Sequence, residues 1–132
     1  MKVFVDTSAF LAVLDADDSN HQAAKGVWEK LLAGGTSLVC SNYVLVETLA
    51  LVQTRLGMAA VQTFQHDIEP LLEVAWIGEA GHRAGVAALL TANRRRLSFV
   101  DCVSFQTMRQ LDLDTAFAFD QHFDEQGFER LL

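Results

Sequence analysis

Four acidic residues stand where an ordinary surface carboxylate is not expected. Asp6 and Asp120 each directly follow a short apolar run, whereas Glu47 and Asp101 each lie inside an apolar stretch. Carboxylates gathered in one small domain repel one another, and their pKa values rise unless cations lie among them. Oxygen ligands without clustered His or Cys suit Mg²⁺ or Mn²⁺ rather than Zn²⁺. Two such ions about 3.5–4 Å apart can support phosphodiester cleavage, so the four acids predict a hydrolytic metal site.

Glu47 is the acid whose neighbours are most unusual. On a helix, its neighbours three and four residues away are Tyr43, Val44, Ala50 and Leu51. A carboxylate among apolar side chains loses hydration, so it must be neutralised, form an ion pair or bind a cation. A buried glutamate that pairs with an arginine or caps a backbone group is the structural alternative.

The other three acids also have structural alternatives. Asp101 lies three residues after Ser98, in the first turn of an expected helix, where the helix dipole favours an acid without any ligand. Asp6 and Asp120 could each cap the helix or turn that follows. Each signal is weak alone, and the metal-site prediction depends on all four acids occurring in one small domain.

Short β-prone runs alternate with helical patterns along the chain. The expected strands cover residues 2–5, 37–40, 73–77 and 115–119, with a possible short fifth strand at 128–132. The expected helices cover residues 7–14, 21–32, 43–55, 58–68, 79–94 and 99–111. This alternation, with near-continuous apolar strands, predicts an α/β fold whose mostly parallel sheet is covered on both faces. Ligands of such sheets collect outside the carboxyl ends of the strands, where Asp6 and Asp120 are expected.

The bulk composition is that of one folded domain spanning residues 1–132. The chain is 51% apolar and 20% charged, and it contains no apolar run of the roughly 18 residues that a membrane span needs. Only three apolar residues precede the acid at position 6, which is too short for a signal peptide and predicts a cytoplasmic protein. Cys40 and Cys102 lie far apart in apolar stretches, which indicates buried, reduced thiols.

The net charge of −7 opposes binding to nucleic acid, but two divalent cations at the site would add four positive charges. Arg94, Arg95 and Arg96 form the one dense basic run. This run could contact RNA phosphates beside the acidic site, or it could be a solvated helix C-terminus. The four histidines are dispersed. His122, just after Asp120, could approach the substrate, but it is expected to be a surface residue.

With these residues in view, the chain resembles PIN-domain proteins, specifically the VapC-type toxins of VapBC toxin–antitoxin pairs. The segments that carry the resemblance are Val5-Asp6-Thr7-Ser8-Ala9, Glu47 on its apolar helix, Leu97-Ser98-Phe99-Val100-Asp101, Phe119-Asp120-Gln121-His122-Phe123, and Gly127-Phe128. Their order and spacing cover essentially the whole chain, and the first and last blocks are the most specific.

The resemblance implies a three-layer α/β/α PIN-like fold with a mostly parallel four- or five-stranded sheet. It implies a Mg²⁺- or Mn²⁺-dependent endoribonuclease that cleaves tRNA or rRNA with a metal-activated water, leaving a 5′-phosphate and a 3′-hydroxyl. One or two ions would be held by Asp6, Glu47, Asp101 and Asp120, with Asp124 as a further candidate ligand. Thr7 or Ser8 would steady the ligands.

The same resemblance implies partners. A cognate VapB-type antitoxin would cover the acidic site, often with a basic side chain, and the toxin would form a homodimer. Apolar residues of the third and fourth helices are candidates either for the dimer surface or for the core; they include Leu49, Val52, Leu56, Met58 and Val61.

One departure from the family pattern lies beside the last acid. Relatives often have Thr or Ser two residues before that aspartate, where this chain has Ala118, so the missing hydroxyl would have to come from Thr115 or Ser8. A catalytically silent PIN-like module that only binds a partner is therefore the alternative function. A phosphoacceptor signalling domain does not fit, because Asp6 is followed by Thr-Ser rather than an acid and no lysine occurs after Lys30.

Overall fold

A five-stranded sheet forms the centre of the protein. The computed structural model describes residues 1–131 of the chain. The strands are β1 (Lys2–Val5), β2 (Ser37–Ser41), β3 (Leu72–Ala75), β4 (Thr115–Phe117) and β5 (Glu129–Arg130). Their order is β3-β2-β1-β4-β5, and every described pairing is parallel. The predicted α/β class and its mostly parallel sheet are confirmed.

Seven α-helices occur within residues 1–131. They are α1 (Thr7–Leu14), α2 (His21–Ala33), α3 (Asn42–Leu56), α4 (Met58–Thr63), α5 (Glu79–Ala92), α6 (Phe99–Gln110) and α7 (His122–Glu125). Crossovers between parallel strands are right-handed. The helices joining β1, β2 and β3 therefore cover one face of the sheet, and those joining β3 to β4 cover the other, which gives the three layers.

The core lies against the central strands. Val3, Phe4 and Val5 of β1 are fully buried, as are Ala116 and Phe117 of β4. Strands buried on both faces lose the alternation of polar and apolar residues, which explains their continuous apolar sequence. Within residues 1–131, no helix is both long and apolar enough to cross a membrane.

Both cysteines are free and buried, as predicted. Cys40 lies on β2, and burial raises the pKa of its thiol to about 12. A thiol with so high a pKa is almost entirely protonated at neutral pH and is a poor nucleophile. The cysteines therefore belong to the packing of the domain and not to its chemistry.

Several element ends differ from the sequence-based expectation. The expected helix 79–94 ends at Ala92, because Asn93 takes a left-handed conformation (φ 49°) and closes the helix. The expected helix 58–68 is α4 only to Thr63 and then widens into a π-helical turn at Phe64–Ile68. Residue 132, the end of the possible fifth strand, lies outside the described residues.

Further differences concern the strands and one helix that was not expected. The third strand is Leu72–Ala75 instead of 73–77, and β4 ends at Phe117 instead of residue 119. Helix α7 was not expected separately. Val52 is fully buried, so it belongs to the core and not to a dimer surface, whereas Met58 is exposed.

The strand order places two acids side by side. From β1 the chain moves through β2 to β3 on one side, and it returns to β4 and β5 on the other side of β1. The carboxyl ends of β1 and β4 are thus neighbours, and the Asp6 amide donates to Phe117 O at 3.0 Å. Such a reversal in strand order opens the crevice in which ligands of α/β sheets bind.

Helices α3 and α6 pack against each other and reach the same edge of the sheet. Ser41 caps α3 at the end of β2, and Ser98 caps α6 through the amide of Asp101. The far side of α6 is fixed by close contact with α5, because a β-carbon on Gly85 would lie 2.6 Å from Val103 Cγ2. Asp101 is therefore carried on a tightly held helix.

Candidate metal centre

Asp6 occupies the centre of the site. It is 5% exposed and is the N-cap of α1, where its Oδ2 accepts the Ser8 amide at 3.1 Å. Burial raises the pKa of the Asp6 carboxyl, the hydrogen bonds from Ser8 lower it, and the charges of Glu47 and Asp120 raise it further. The capping role weighed as an alternative is real, but it leaves the carboxylate buried beside other acids.

Ser8 joins the ends of the two central strands. Its hydroxyl donates to Asp6 Oδ2 at 2.7 Å and accepts from the Phe119 amide at 3.0 Å. Phe119 lies beyond the end of β4, so its amide bonds to this hydroxyl instead of to a neighbouring strand. Ser8 is therefore the hydroxyl that contacts the chain just after Ala118, whereas Thr115 lies at the other end of β4.

Thr7 acts at a different place. Its hydroxyl donates to Val44 O at 3.4 Å and accepts from Thr48 at 3.0 Å, and both threonines are buried. Thr7 therefore ties α1 to α3 beside Glu47. Of the two residues expected to steady the ligands, Ser8 bonds the Asp6 carboxylate directly, and Thr7 acts only on the neighbouring helix.

Asp101 is buried in the first turn of α6, where its amide donates to Ser98 Oγ at 3.0 Å. Burial raises the pKa of its carboxyl to about 7, and the charges of Asp6 and Asp120 raise it as well. The Ser98 side chain and His122 act in the opposite direction. The serine half of the predicted capping arrangement is present, while the Asp101 carboxylate lies 3.6 Å from His122 Nδ1.

Asp120 and His122 form a tight turn at the start of α7. Asp120 Oδ1 accepts the His122 amide at 2.8 Å and lies 3.1 Å from His122 Nδ1. The His122 side chain is only 17% exposed. The expectation that His122 is a surface residue is wrong, because the turn after Asp120 folds the imidazole back toward the acids.

Glu47 is closer to solvent than its apolar neighbours in the sequence indicated. It is half-buried, and Val46 beside it is 68% exposed. It lines a groove of about 300 Å³ together with Tyr43 and Val100. Its charge still reaches Asp6 and raises the pKa of that carboxyl. Glu47 is therefore partly shielded from water, and its apolar neighbours do not remove it from solvent completely.

Asp124 lies outside the acidic group. Its two carboxylate oxygens are 3.3 and 3.1 Å from Arg130 Nε, and Arg130 also donates to Phe119 O at 3.1 Å. Arg130 thus holds the backbone just before Asp120. The structure shows Asp124 in an ion pair with this arginine and not beside the other acids.

The arginine run lies in the loop between α5 and α6 and not at a helix C-terminus, since α5 has already ended at Ala92. Arg94 Nη1 is 2.9 Å from Glu125 Oε2 on α7. Arg95 and Arg96 are exposed, and neither has an ion pair within residues 1–131. These two arginines are therefore available to a ligand near the start of α6.

The side chains at the centre of the site fit a divalent cation. Ligand atoms of Asp101, Asp120 and His122 all lie within 4.8 Å of one another. His122 Nδ1 is buried and makes no hydrogen bond of acceptable angle. A buried polar atom without a partner needs a physical reason, and a cation among these groups would satisfy it.

Comparison with known proteins agrees with the fold. The PIN domain family matches residues 3–129. The chain is 33% identical over 127 residues to the 23S rRNA-specific endonuclease VapC20 of Mycobacterium tuberculosis, covering 96% of this chain and 95% of that protein. The predicted resemblance is confirmed, and the chain belongs to the PIN domain family.

Solved structures give the same result. The crystal structure of M. tuberculosis VapC20, described as a sarcin–ricin loop cleaving toxin, superposes with a TM-score of 0.83 at 31% identity, covering 96% of this chain and 95% of that one. FitAcB of Neisseria gonorrhoeae (TM-score 0.69, 16% identity) covers 98% and 96%, and VapBC2 of Rickettsia felis, bound to a promoter DNA fragment (0.71, 12%), covers 98% and 97%. These two share the fold.

Replacing Ser8 with Ala should lower the free energy of unfolding by about 1–3 kcal/mol, because the Phe119 amide loses its partly buried acceptor. Chemical denaturation of the metal-free protein measures this change. Thr63→Ala is the matched control, since that hydroxyl bonds a backbone carbonyl at the surface, and its effect should stay within about 0.5 kcal/mol. Equal effects of the two substitutions would contradict the role assigned to Ser8.

The raised pKa of Asp101 makes the stability of the metal-free protein depend on pH. The folded protein keeps a proton up to about pH 7 that the unfolded chain loses near 3.8. Asp101 therefore lowers the free energy of unfolding as the pH rises through this window, and the loss is complete above it.

Asp101→Asn should therefore raise the melting temperature at pH 8 in EDTA by at least about 3 °C, and by much less at pH 4. A change of about 1 kcal/mol in the free energy of unfolding shifts the melting temperature by roughly 2–8 °C. Thermal unfolding followed by circular dichroism tests this, with the exposed Asp67→Asn as control. A lower melting temperature for Asp101→Asn at pH 8 would refute the assignment.

Proposed function

We propose that this chain is a divalent-metal-dependent endoribonuclease and the toxin of a type II toxin–antitoxin pair. The observation that carries the proposal is the gathering of Asp6, Asp101 and Asp120 at the carboxyl edge of the central strands. Burial raises the pKa of two of these carboxyls, which is the electrostatic state of a cation site without its cation. The relation to an rRNA endonuclease supports the reaction class.

The proposed ligands are Asp6, Glu47, Asp101 and Asp120, and the proposed cofactor is Mg²⁺ or Mn²⁺, as one or two ions. Asp124 is left out of this set because Arg130 occupies its carboxylate. A bound divalent cation supplies positive charge that polarises the attacking water and stabilises the leaving oxygen of the phosphodiester.

The chain's own residues prepare the site for this chemistry. Ser8 holds one oxygen of Asp6, so the carboxylate has a single orientation when the RNA arrives. The His122 amide does the same for Asp120. Asp101 must lose its proton before its carboxylate can bind a cation, so cation affinity rises with pH near neutrality. Preorganised groups of this kind need no rearrangement during the reaction.

The proposed substrate is rRNA, and within it an exposed loop. The relative at 33% identity is named for 23S rRNA cleavage, and its crystal structure is described as that of a sarcin–ricin loop cleaving toxin. Single-stranded loops present bases that a protein can bind. Arg95 and Arg96, beside the first turn of α6, would contact the RNA phosphates and so offset the net charge of −7.

The proposed regulatory partner is a VapB-type antitoxin whose basic side chain covers the acidic group. The VapBC2 complex of Rickettsia felis has the same fold in its toxin, and this supports a partner of that type. A homodimer is also proposed. Met58, which is exposed at the start of α4, is a candidate contact between the two subunits, whereas Val52 is buried in the core.

The deciding experiment is cleavage of purified ribosomes, 23S rRNA and tRNA by the partner-free chain, in Mg²⁺ or Mn²⁺ and in EDTA, with cut sites mapped by primer extension. Asp6→Asn should lower the rate at least about 100-fold, because a few kcal/mol of transition-state stabilisation depends on the bound cation. The exposed Asp67→Asn should retain full activity.

Cleavage that continues in EDTA, or in a folded Asp6→Asn protein, would contradict the proposed site. The catalytically silent module predicts no cleavage of any of these RNAs by folded, metal-loaded wild-type protein. The specific argument for that alternative was Ala118, and Ser8 now supplies a hydroxyl at the end of β4.

Replacing both Arg95 and Arg96 with Gln should weaken RNA binding and make its salt dependence less steep, by roughly 0.7–0.9 in log–log slope for each lost phosphate contact. Fluorescence anisotropy on an Asp6→Asn background measures binding without cleavage. Lys25→Gln with Lys30→Gln, both exposed on α2, gives a control of equal charge change. Indistinguishable slopes for the two double variants would remove this loop from the RNA surface.

A further inference from the structure

Among residues 1–131, His122 contributes a nitrogen atom to the acidic group. Its Nδ1 lies 3.1 Å from Asp120 Oδ1 and 3.6 Å from Asp101 Oδ2. These two carboxylates and the imidazole form the group of potential ligand atoms that lie within 4.8 Å of one another in residues 1–131. The imidazole is therefore at the same centre as the acids and not beside it.

The environment of Nδ1 is unusual for a histidine. The atom is buried, and it makes no hydrogen bond of acceptable angle although carboxylate oxygens surround it. Asp120 Oδ1 instead accepts the backbone amide of His122 at 2.8 Å. An imidazole nitrogen held against two carboxylates must either carry a proton or share a cation with them. A shared cation satisfies all three groups.

The separations agree with ligands that share one ion. Around an octahedral ion with bonds of about 2.1 Å, adjacent ligand atoms lie about 3.0 Å apart and opposite ones about 4.2 Å apart. The two distances from Nδ1 are close to the value for adjacent ligands. Small side-chain adjustments therefore suffice to bring all three atoms to one ion.

We propose that His122 Nδ1 is a direct metal ligand together with Asp101 and Asp120, and that the site consequently takes Mn²⁺ in preference to Mg²⁺. This inference rests on the proposed function and adds a nitrogen ligand to its oxygen set. Mg²⁺ strongly favours oxygen ligands and keeps its waters, whereas imidazole suits first-row transition ions better. The imidazole thus gives this acidic site a selectivity that carboxylates alone do not provide.

The nitrogen ligand can be observed directly by pulsed electron paramagnetic resonance of Mn²⁺ bound to the full chain. We expect the spin echo of Mn²⁺ to be modulated by one directly bound imidazole nitrogen. The modulation frequencies should change when the protein is grown with ¹⁵N-histidine. The modulation should disappear in His122→Gln and persist in His66→Gln, since His66 is exposed on the π-helical turn.

The selectivity is measured by Mn²⁺ titration and by displacement of Mn²⁺ with Mg²⁺. His122→Gln should weaken Mn²⁺ binding about 10-fold or more while changing Mg²⁺ binding less than about 2-fold, given the typical cost of altering a metal site. Equal loss for both ions would contradict the proposed preference. Isotope labelling of the wild-type protein gives the answer even if His122→Gln fails to fold.

Two further outcomes separate this inference from the proposed function. In the first outcome, Mn²⁺ binds and supports cleavage, and Asp101→Asn abolishes its binding, but no nitrogen modulation is seen. His122 is then not a ligand, and the nuclease proposal stands. If the folded chain binds neither Mn²⁺ nor Mg²⁺, both proposals are overturned.

Discussion

Repulsion between carboxylates at one end of a buried sheet is the constraint that the rest of this structure must withstand. Asp6 and Asp101 are both nearly inaccessible to water, and burial raises the pKa of each. Such groups stay together only if the backbone holding them is stiff. Asp6 ends a central strand with Ser8 fixing its carboxylate, and Asp101 lies on a helix that is capped by Ser98. The fold therefore holds buried carboxylates close together, and a cation or a basic group of a partner would offset their repulsion.

The strand order explains why these acids meet at all. Residues 6 and 120 are far apart in sequence, yet β1 and β4 are adjacent because the chain returns across the sheet after β3. Ser8 completes the junction by accepting the Phe119 amide. Solved structures at 12% and 16% identity share this fold over nearly their whole length. Volume and patterning, more than particular side chains, specify such a core.

Much of the fold was predictable because hydrophobic periodicity reports burial. The β1 strand and α1 helix were predicted with the bounds that the structure shows, since a continuous apolar run and an N-cap mark them. The predicted helix ends were wrong where the conformation of a few backbone residues ends or widens a helix. Asn93 closes α5 by adopting a left-handed conformation, and the π-helical turn at Phe64–Ile68 follows no simple periodicity.

By itself, the sequence determined the fold class, the alternation of strands and helices, and which acids follow apolar strands, because these depend on patterns along the chain. Only the tertiary structure decided how each polar group is solvated and paired. Glu47 is half-buried despite its apolar neighbours, and Asp124 pairs with Arg130. His122 faces Asp101 because a turn of three residues folds it inward. Burial and pairing depend on how turns and elements fold against one another, so the periodicity of the sequence could not have revealed them.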